Sequence, residues 1–196
     1  MEQRIKGTTG LMGLIGSPVG HSGSPDMYNF SFRYHHLDYA YLAFDIKEDQ
    51  VKAALDAMRL FRMRGCNVTM PCKNEAAKYM DELSPAARII GAVNTIVNEN
   101  GRLIGHITDG TGFVHNLKEN GVEVKNKKMV VLGAGGAATA IQVQCALDGA
   151  REISIFNPDD PFLARAKATA EKLRKERPEC KVQVFCLEDK EKLKAE

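Results

Sequence analysis

Apolar and polar positions along this chain alternate with two different periods, and the switches between them mark out strands and helices in turn. Leu11-Met12-Gly13-Leu14-Ile15-Gly16 is a short apolar run closed by Ser17-Pro18, which predicts a buried strand. A helix is expected over residues 25–36. The aromatic-rich Tyr39-Ala40-Tyr41-Leu42-Ala43-Phe44 predicts the next strand. Val51, Ala54, Leu55 and Met58 fall at helical spacing and predict a helix over 48–60. A strand over 66–69 ends before Pro71, and a helix over 72–80 follows. Residues 92–97 and 103–107 read as strands joined by Asn98-Glu99-Asn100-Gly101, whose Asn-Gly pair is a strong hairpin signal. A helix over 113–119 ends at Asn120-Gly121.

The polar stretch 123–128 separates this series from a second one: strand 129–133, helix 136–148, strand 152–156, helix 161–176 and strand 181–186. Gly149 stands where the cap of the preceding helix is expected. The fold class is therefore α/β, with a first domain over 1–120 built on a mostly parallel sheet and a Rossmann-like second domain over 121–196. Three strands make one βαβαβ half, where a full doubly wound domain has two. The second domain is accordingly expected to be C-terminally incomplete, with its third strand at an open sheet edge.

Composition narrows the functional classes. Of 196 residues, 44% are apolar and 27% charged, which suits packed cores. The net charge of +2 comes from 27 basic and 25 acidic residues that are interleaved, which argues against a nucleic-acid surface. No apolar run approaches the ~18 residues of a membrane span and no signal-peptide core follows Met1, so a cytoplasmic location is expected. Five cysteines form an odd set without a Cys-x-x-Cys, which favours reduced thiols. Cys66, Cys72 and His106 match no common zinc spacing, and no metal is expected.

The chemistry concentrates in a few motifs. Gly133-Ala134-Gly135-Gly136-Ala137-Ala138 follows a predicted strand and opens a helix. Glycines there permit a tight turn and close approach of a pyrophosphate to helix amides, which points to a dinucleotide. Asn157-Pro158-Asp159-Asp160 ends the next strand. Acidic groups at that place accept hydrogen bonds from an adenosine ribose and repel a 2′-phosphate, which favours NAD, with NADP as the second candidate. Asp160 ahead of Pro161 also reads as an ordinary helix cap. Ser22 and Ser24 precede a helix, Ser24 as its N-cap and Pro25 at its first position, and offer hydroxyls and helix amides to a carboxylate. Thr69 and Asn94 place uncharged hydrogen-bonding groups at strand ends. Lys73 opens a helix and Asp109 precedes one; each alone reads as a surface or capping residue.

Taken in order, His21-Ser-Gly-Ser-Pro, Asn67-Val-Thr-Met-Pro-Cys-Lys, Gly91-Ala-Val-Asn-Thr, Thr108-Asp-Gly-Thr-Gly-Phe and Gly133-Ala-Gly-Gly-Ala resemble the motif series of the shikimate dehydrogenase family. The stretches at Tyr41 and Thr108 resemble most its quinate/shikimate branch. The resemblance implies an oxidoreductase of aromatic amino acid biosynthesis (the shikimate pathway). It would pass a hydride between a nicotinamide cofactor and shikimate or 3-dehydroshikimate, or the quinate pair. It further implies that Ser22 and Ser24, assisted by Tyr41, hold the carboxylate of a cyclohexene or cyclohexane acid. Thr69, Asn94 and Thr108 would surround the ring hydroxyls, and Lys73 and Asp109 would share the reacting hydroxyl and its proton. Gly133, Ala134, Gly135, Gly136 and Ala137, with Asn157, Asp159 and Asp160, would bind the cofactor. Gly23, Ile107 and Pro158 depart from the family's usual leucine, asparagine and arginine. A homodimer is the one protein partnership this reading admits. The rival from another class is a non-catalytic module that senses quinate-like acids, against which the presence of both Lys73 and Asp109 argues.

Overall fold

A computed structural model describes residues 5–189 and 191–192. The chain divides into two compact units, Met1–Ala87 with Gly91–His106, and Arg88–Ile90 with Ile107–Glu196. This division falls at His106, ahead of the expected 120/121 boundary, because the helix that follows packs within the second unit.

In the first unit six strands, β1 (Gly10–Gly16), β2 (Tyr39–Asp45), β3 (Gly65–Val68), β4 (Glu82–Leu83), β5 (Thr95–Glu99) and β6 (Arg102–His106), form one sheet in the order β2-β1-β3-β5-β6-β4. β2, β1 and β3 are parallel, β5 runs antiparallel to both β3 and β6, and β4 is parallel to β6. Three helices accompany them, α1 (Ser24–Tyr34), α2 (Val51–Leu60) and α3 (Lys73–Ala77), and α4 (Pro85–Ile90) starts in this unit, its last three residues being grouped with the second. The period-2 alternation of β1 sorts its side chains between two layers. Met12 and Leu14 join Val19, Phe32 and Tyr41 in one core. Leu11 and Ile15 face Leu55, Met58 and Cys66 around a small apolar cavity of about 180 Å³ beside α2.

The hairpin forms as its Asn-Gly pair predicts: Asn100 and Gly101 take φ of 55° and 97°, the left-handed pair of a tight β-turn. Three features differ from the sequence pattern. The helix expected over 72–80 is only the five residues of α3. β5 starts at Thr95 rather than at residue 92, because the Val93 amide goes to Lys73 O at the start of α3 and not to a neighbouring strand. β4 and α4 were not expected at all. α4 is short, yet its signals are complete: Ser84 Oγ accepts the Ala87 amide at 3.3 Å, Pro85 sits in the first turn and Gly91 closes it at φ 75°.

The second unit holds α5 (Asp109–Glu119), β7 (Lys128–Leu132), α6 (Gly136–Leu147), β8 (Glu152–Asn157), α7 (Pro161–Glu176) and β9 (Lys181–Cys186). Its three strands are parallel in the order β7-β8-β9. α5 starts four residues before the predicted 113 and packs on α6 through Gly110, where a Cβ would stand 2.2 Å from Ala140 O. β8 is central and buried, with Ile153, Ile155 and Phe156 at 0% exposure. β9 is an edge strand as expected. β7 is the other edge, and it is the apolar one, with Val130 43% and Leu132 64% exposed.

Candidate active site

Thr69, Lys73 and Asn94 lie beside the carboxyl ends of β1 and β3, where α/β sheets bind ligands. Gly16 ends β1 beside the 69–70 segment: a Cβ there would lie 2.3 Å from Thr69 Cγ2, so only glycine allows the approach. Thr69 N–H donates to Ile15 O at 2.9 Å and Ser17 N–H to Met70 O at 3.0 Å, which fixes Thr69 at the strand end. Lys73, half-buried, opens α3 after the buried Cys72, whose thiol donates to Ile46 O and is pushed up in pKa by burial. Val93 N–H donates to Lys73 O at 2.9 Å, and this ties the lysine's backbone to the turn that carries Asn94.

A directional hydrogen-bond chain leads to Asn94. Tyr41 is 2% exposed and stacks on Tyr28 at 4.5 Å. Its hydroxyl donates to Asn67 Oδ1 at 2.7 Å, Asn67 Nδ2 donates to Thr95 Oγ1 at 3.2 Å, and Thr95 Oγ1 donates to Asn94 Oδ1 at 3.1 Å. Each link fixes the polarity of the next, so Asn94 keeps its carbonyl toward Thr95 and turns its amide N–H group the other way. Burial pushes the Tyr41 hydroxyl's pKa well above the ordinary tyrosine range, which keeps it a donor. Tyr41 thus sits in the core as the start of this chain. Asn67 opens one of the quoted motifs but was given no role, and a polar side chain between Cys66 and Val68 in a buried strand is the signal that could have supplied one.

Ser22 and Ser24 are half-buried, and the Ser24 amide donates to Ser22 Oγ at 3.2 Å. α1 starts at Ser24 itself, with Gly23 at the cap position and no side-chain cap. The expected N-cap role of Ser24 is therefore not what forms; Ser22 takes the amide instead.

In the second unit Thr108 and Asp109 are exposed at the start of α5, with Thr108 at the cap position and no side-chain cap bond. The glycine loop follows β7. Gly133 adopts φ 102° and donates its amide to Phe156 O at 2.7 Å. Ala134 is fully buried, Gly135 is the extended N-cap of α6, and Gly136 and Ala137 are exposed in its first turn. Two α6 side chains hold the loop from below: Thr139 Oγ1 donates to Ala134 O at 3.2 Å and Gln142 Nε2 to Gly133 O at 2.9 Å. The first α6 amides have no acceptor within the helix. A Cβ at Gly133, Gly135 or Gly136 would meet nothing within 4 Å, so no neighbouring group fills the space beside the loop at those positions. Such a cradle fits a pyrophosphate. Thr139 and Gln142 escaped the sequence reading; they are polar, three apart, on the buried face of an apolar helix.

After β8, Asp160 caps α7: Oδ1 accepts the Phe162 amide at 2.8 Å and the Asn157 side-chain amide at 2.7 Å. Asn157 is 3% exposed and also donates to Pro158 O. Asp159 is exposed beside this turn. No group of three or more His, Cys, Asp or Glu residues is arranged for a metal among the described residues, and none of the helices there is long and apolar enough to cross a membrane.

A mixed α/β unit with polar groups at its strand ends, together with a glycine cradle on a βαβαβ unit, defines the nicotinamide-dinucleotide dehydrogenase class of scaffold. Comparison with known proteins identifies the particular family. Residues 14–96 match the family described as the shikimate dehydrogenase substrate binding domain. A shikimate dehydrogenase (NADP(+)) of Listeria monocytogenes is 52% identical over 194 residues, which is 99% of this chain and 66% of that protein. A quinate/shikimate dehydrogenase of Escherichia coli is 45% identical, with 92% and 62% covered. The crystal structure of a Listeria monocytogenes shikimate 5-dehydrogenase in complex with shikimate and NAD superimposes with a TM-score of 0.96 at 51% identity, covering 100% of this chain and 68% of that one. The chain belongs to the shikimate dehydrogenase family, and it spans about two thirds (66%) of the length of the curated relatives it matches.

Proposed function

We propose that this chain supplies the substrate-binding part and the adenosine side of the cofactor site of a nicotinamide-dependent oxidoreductase that interconverts shikimate and 3-dehydroshikimate, or the corresponding quinate pair. The observation that carries this reading is the Tyr41–Asn67–Thr95–Asn94 chain, which orients an uncharged donor at the sheet's ligand-binding end, on the turn tied to Lys73. A ring hydroxyl, which both donates and accepts, is a group that an oriented amide can bond. Ser22 and Ser24, at the start of α1, suit a carboxylate, which accepts hydrogen bonds only. Thr69 and Thr108 complete the ring-hydroxyl contacts.

The nicotinamide, when bound, supplies or takes the hydride. Gly133, Ala134, Gly135, Gly136 and Ala137 would hold its pyrophosphate, and the Asp159 region its adenosine ribose. Lys73 stabilises the negative charge that develops on the substrate oxygen as the carbonyl carbon gains a hydride, and Asp109 exchanges the proton that this oxygen takes up or releases. The small-molecule acid is the partner; assembly as a homodimer belongs to the same proposal, as does a cytoplasmic location. The relatives named above carry the names of enzymes, and the sensing reading finds no support in them.

The test is steady-state oxidation of shikimate and quinate by the whole protein, followed by nicotinamide absorbance, with Lys73→Ala beside the unmodified enzyme. Lys73→Ala should lower kcat by about 10²-fold or more, the scale of removing one group that stabilises a developing oxyanion, while KM changes less. A variant with near-normal kcat would remove Lys73 from the chemistry.

A further inference from the structure

We infer that the groove where the α2–β3 loop meets the β5–β6 hairpin is a second binding site, one that takes a phosphate monoester of a small polar metabolite. The groove is about 480 Å³ in volume, and Arg59, Arg62, Arg64, Asn98, Asn100 and Gly101 line it. It lies at the opposite end of β3 from Thr69. The five steps from Arg64 to Thr69, at about 3.3 Å each, separate the two places by roughly 16 Å.

The charge in the groove is not balanced. Arg59 is paired with Asp81 at 3.0 Å and Asp56 at 3.7 Å. Arg62 and Arg64 are exposed, and neither belongs to an ion pair among the described residues. Two guanidiniums without carboxylate partners suit a dianion, and their planar forks match phosphate oxygens in pairs. The walls are also fixed before any ligand arrives. Arg59 Nε donates to Gly101 O at 3.0 Å, and the 6%-exposed Asn98 donates Nδ2 to Met63 O at 2.9 Å while its Oδ1 accepts the Gly101 amide at 2.7 Å. Such cross-ties reduce the ordering that binding would otherwise require.

Arg62 adds an independent mark. It closes α2 in the left-handed region at φ 52°, with its amide on Arg59 O and that of Met63 on Met58 O. Glycine takes this position without steric penalty, and an arginine does not. A side chain kept at a strained backbone position beside a cavity points to use of that side chain. The walls are mostly polar and offer no aromatic platform, so the body of the ligand is polar as well.

Calorimetric titration of the whole protein with inorganic phosphate and with glucose 6-phosphate tests this, with Arg62→Gly and Arg64→Gln as variants. Saturable binding is expected, tighter for the ester, and weakened about tenfold by either substitution. Arg62→Gly keeps the test clear of folding defects, because it relieves the backbone: it should raise the melting temperature while weakening phosphate binding. Backbone amide NMR shifts at Asn100 and Gly101 should saturate together with the heat signal. Absence of saturable binding would overturn the site. Binding that both variants leave unchanged, with shifts confined to Gly133–Ala137, would assign the anion to the glycine loop and overturn it equally. Phosphate binding that the ester fails to match would overturn the ester.

Discussion

Tyr41→Phe removes one oxygen and tests whether the polar chain beneath the candidate site is a connected unit. The lost bond is short, 2.7 Å from the hydroxyl to Asn67 Oδ1, and the ring is 2% exposed, so water cannot readily replace it. Stranding a buried acceptor costs about 1–3 kcal/mol. Asn67 is only half-buried, which places the expected loss toward the lower half, about 1.5 kcal/mol. For a unit of roughly a hundred residues this lowers Tm by about 6–12 °C. Thermal and urea denaturation followed by far-UV circular dichroism measures it. Asn67→Leu removes the acceptor itself, so adding Tyr41→Phe to it should cost little. A double-mutant cycle should give a coupling of at least ~1 kcal/mol. Tyr41→Phe should also raise the substrate KM more than it lowers kcat, because Asn94 loses its fixed orientation. Additivity of the two substitutions within about 0.4 kcal/mol would refute the connection.

Other consequences follow from the same structure. Asp159 is exposed and uncommitted to capping, unlike Asp160, so NAD should be favoured over NADP, and Asp159→Arg should shift kcat/KM toward NADP by about tenfold or more through a charge-assisted contact to the 2′-phosphate. Equal or better turnover with NADP in the unmodified protein would contradict this. Burial pushes the Cys66 thiol up to about 12, against an unfolded value near 8.5. The unfolded chain therefore loses this proton first, and stability should fall as pH rises from about 9 toward 12, by up to about 1.4 kcal/mol per pH unit. Tyr41 acts in the same direction above about pH 10. Cys66→Ala should flatten the slope in urea denaturation, and unchanged slopes would rule the thiol out. Finally, β7 leaves one edge open and the Val130 and Leu132 face uncovered, so the 196-residue polypeptide, prepared as such, should self-associate and bind the dinucleotide weakly. Val130→Lys should reduce the association in light scattering; a monodisperse monomer of the unmodified chain would refute the role of the edge.

What could be read in the sequence divides along physical lines. Long periodic segments such as α6, α7 and β8 were legible because a buried face imposes its period on the residues. β4 and α4 were not, since two strand residues and six helical ones carry too few repeats, although Ser84–Pro85 and Gly91 mark the start and stop of α4. The α5 helix was expected only from residue 113, which left Gly110 outside it. The missing side chain of Gly110 serves packing, since any Cβ would collide with Ala140 O on α6. The capping by Asp160 was legible from Pro161 alone, because the geometry of a helix start is local.

The candidate site was legible at the glycine loop, whose strand, turn and helix are local, whereas Lys73 and Asp109, each alone a surface or capping residue, entered only through the ordered motif series. It was illegible where a residue works through a neighbour. Asn67 touches Tyr41 from 26 positions away, and Gln142 reaches back nine residues to the carbonyl of Gly133. No spacing rule encodes such pairs, but a constraint does: a polar side chain on a buried face costs free energy unless it finds a partner. Asn67 between Cys66 and Val68, and Thr139 with Gln142 on the inner face of α6, each break an apolar pattern that burial otherwise enforces. Polar residues that break a buried period therefore mark places where the fold orients something else, here the Asn94 amide in one unit and the cradle of α6 amides in the other.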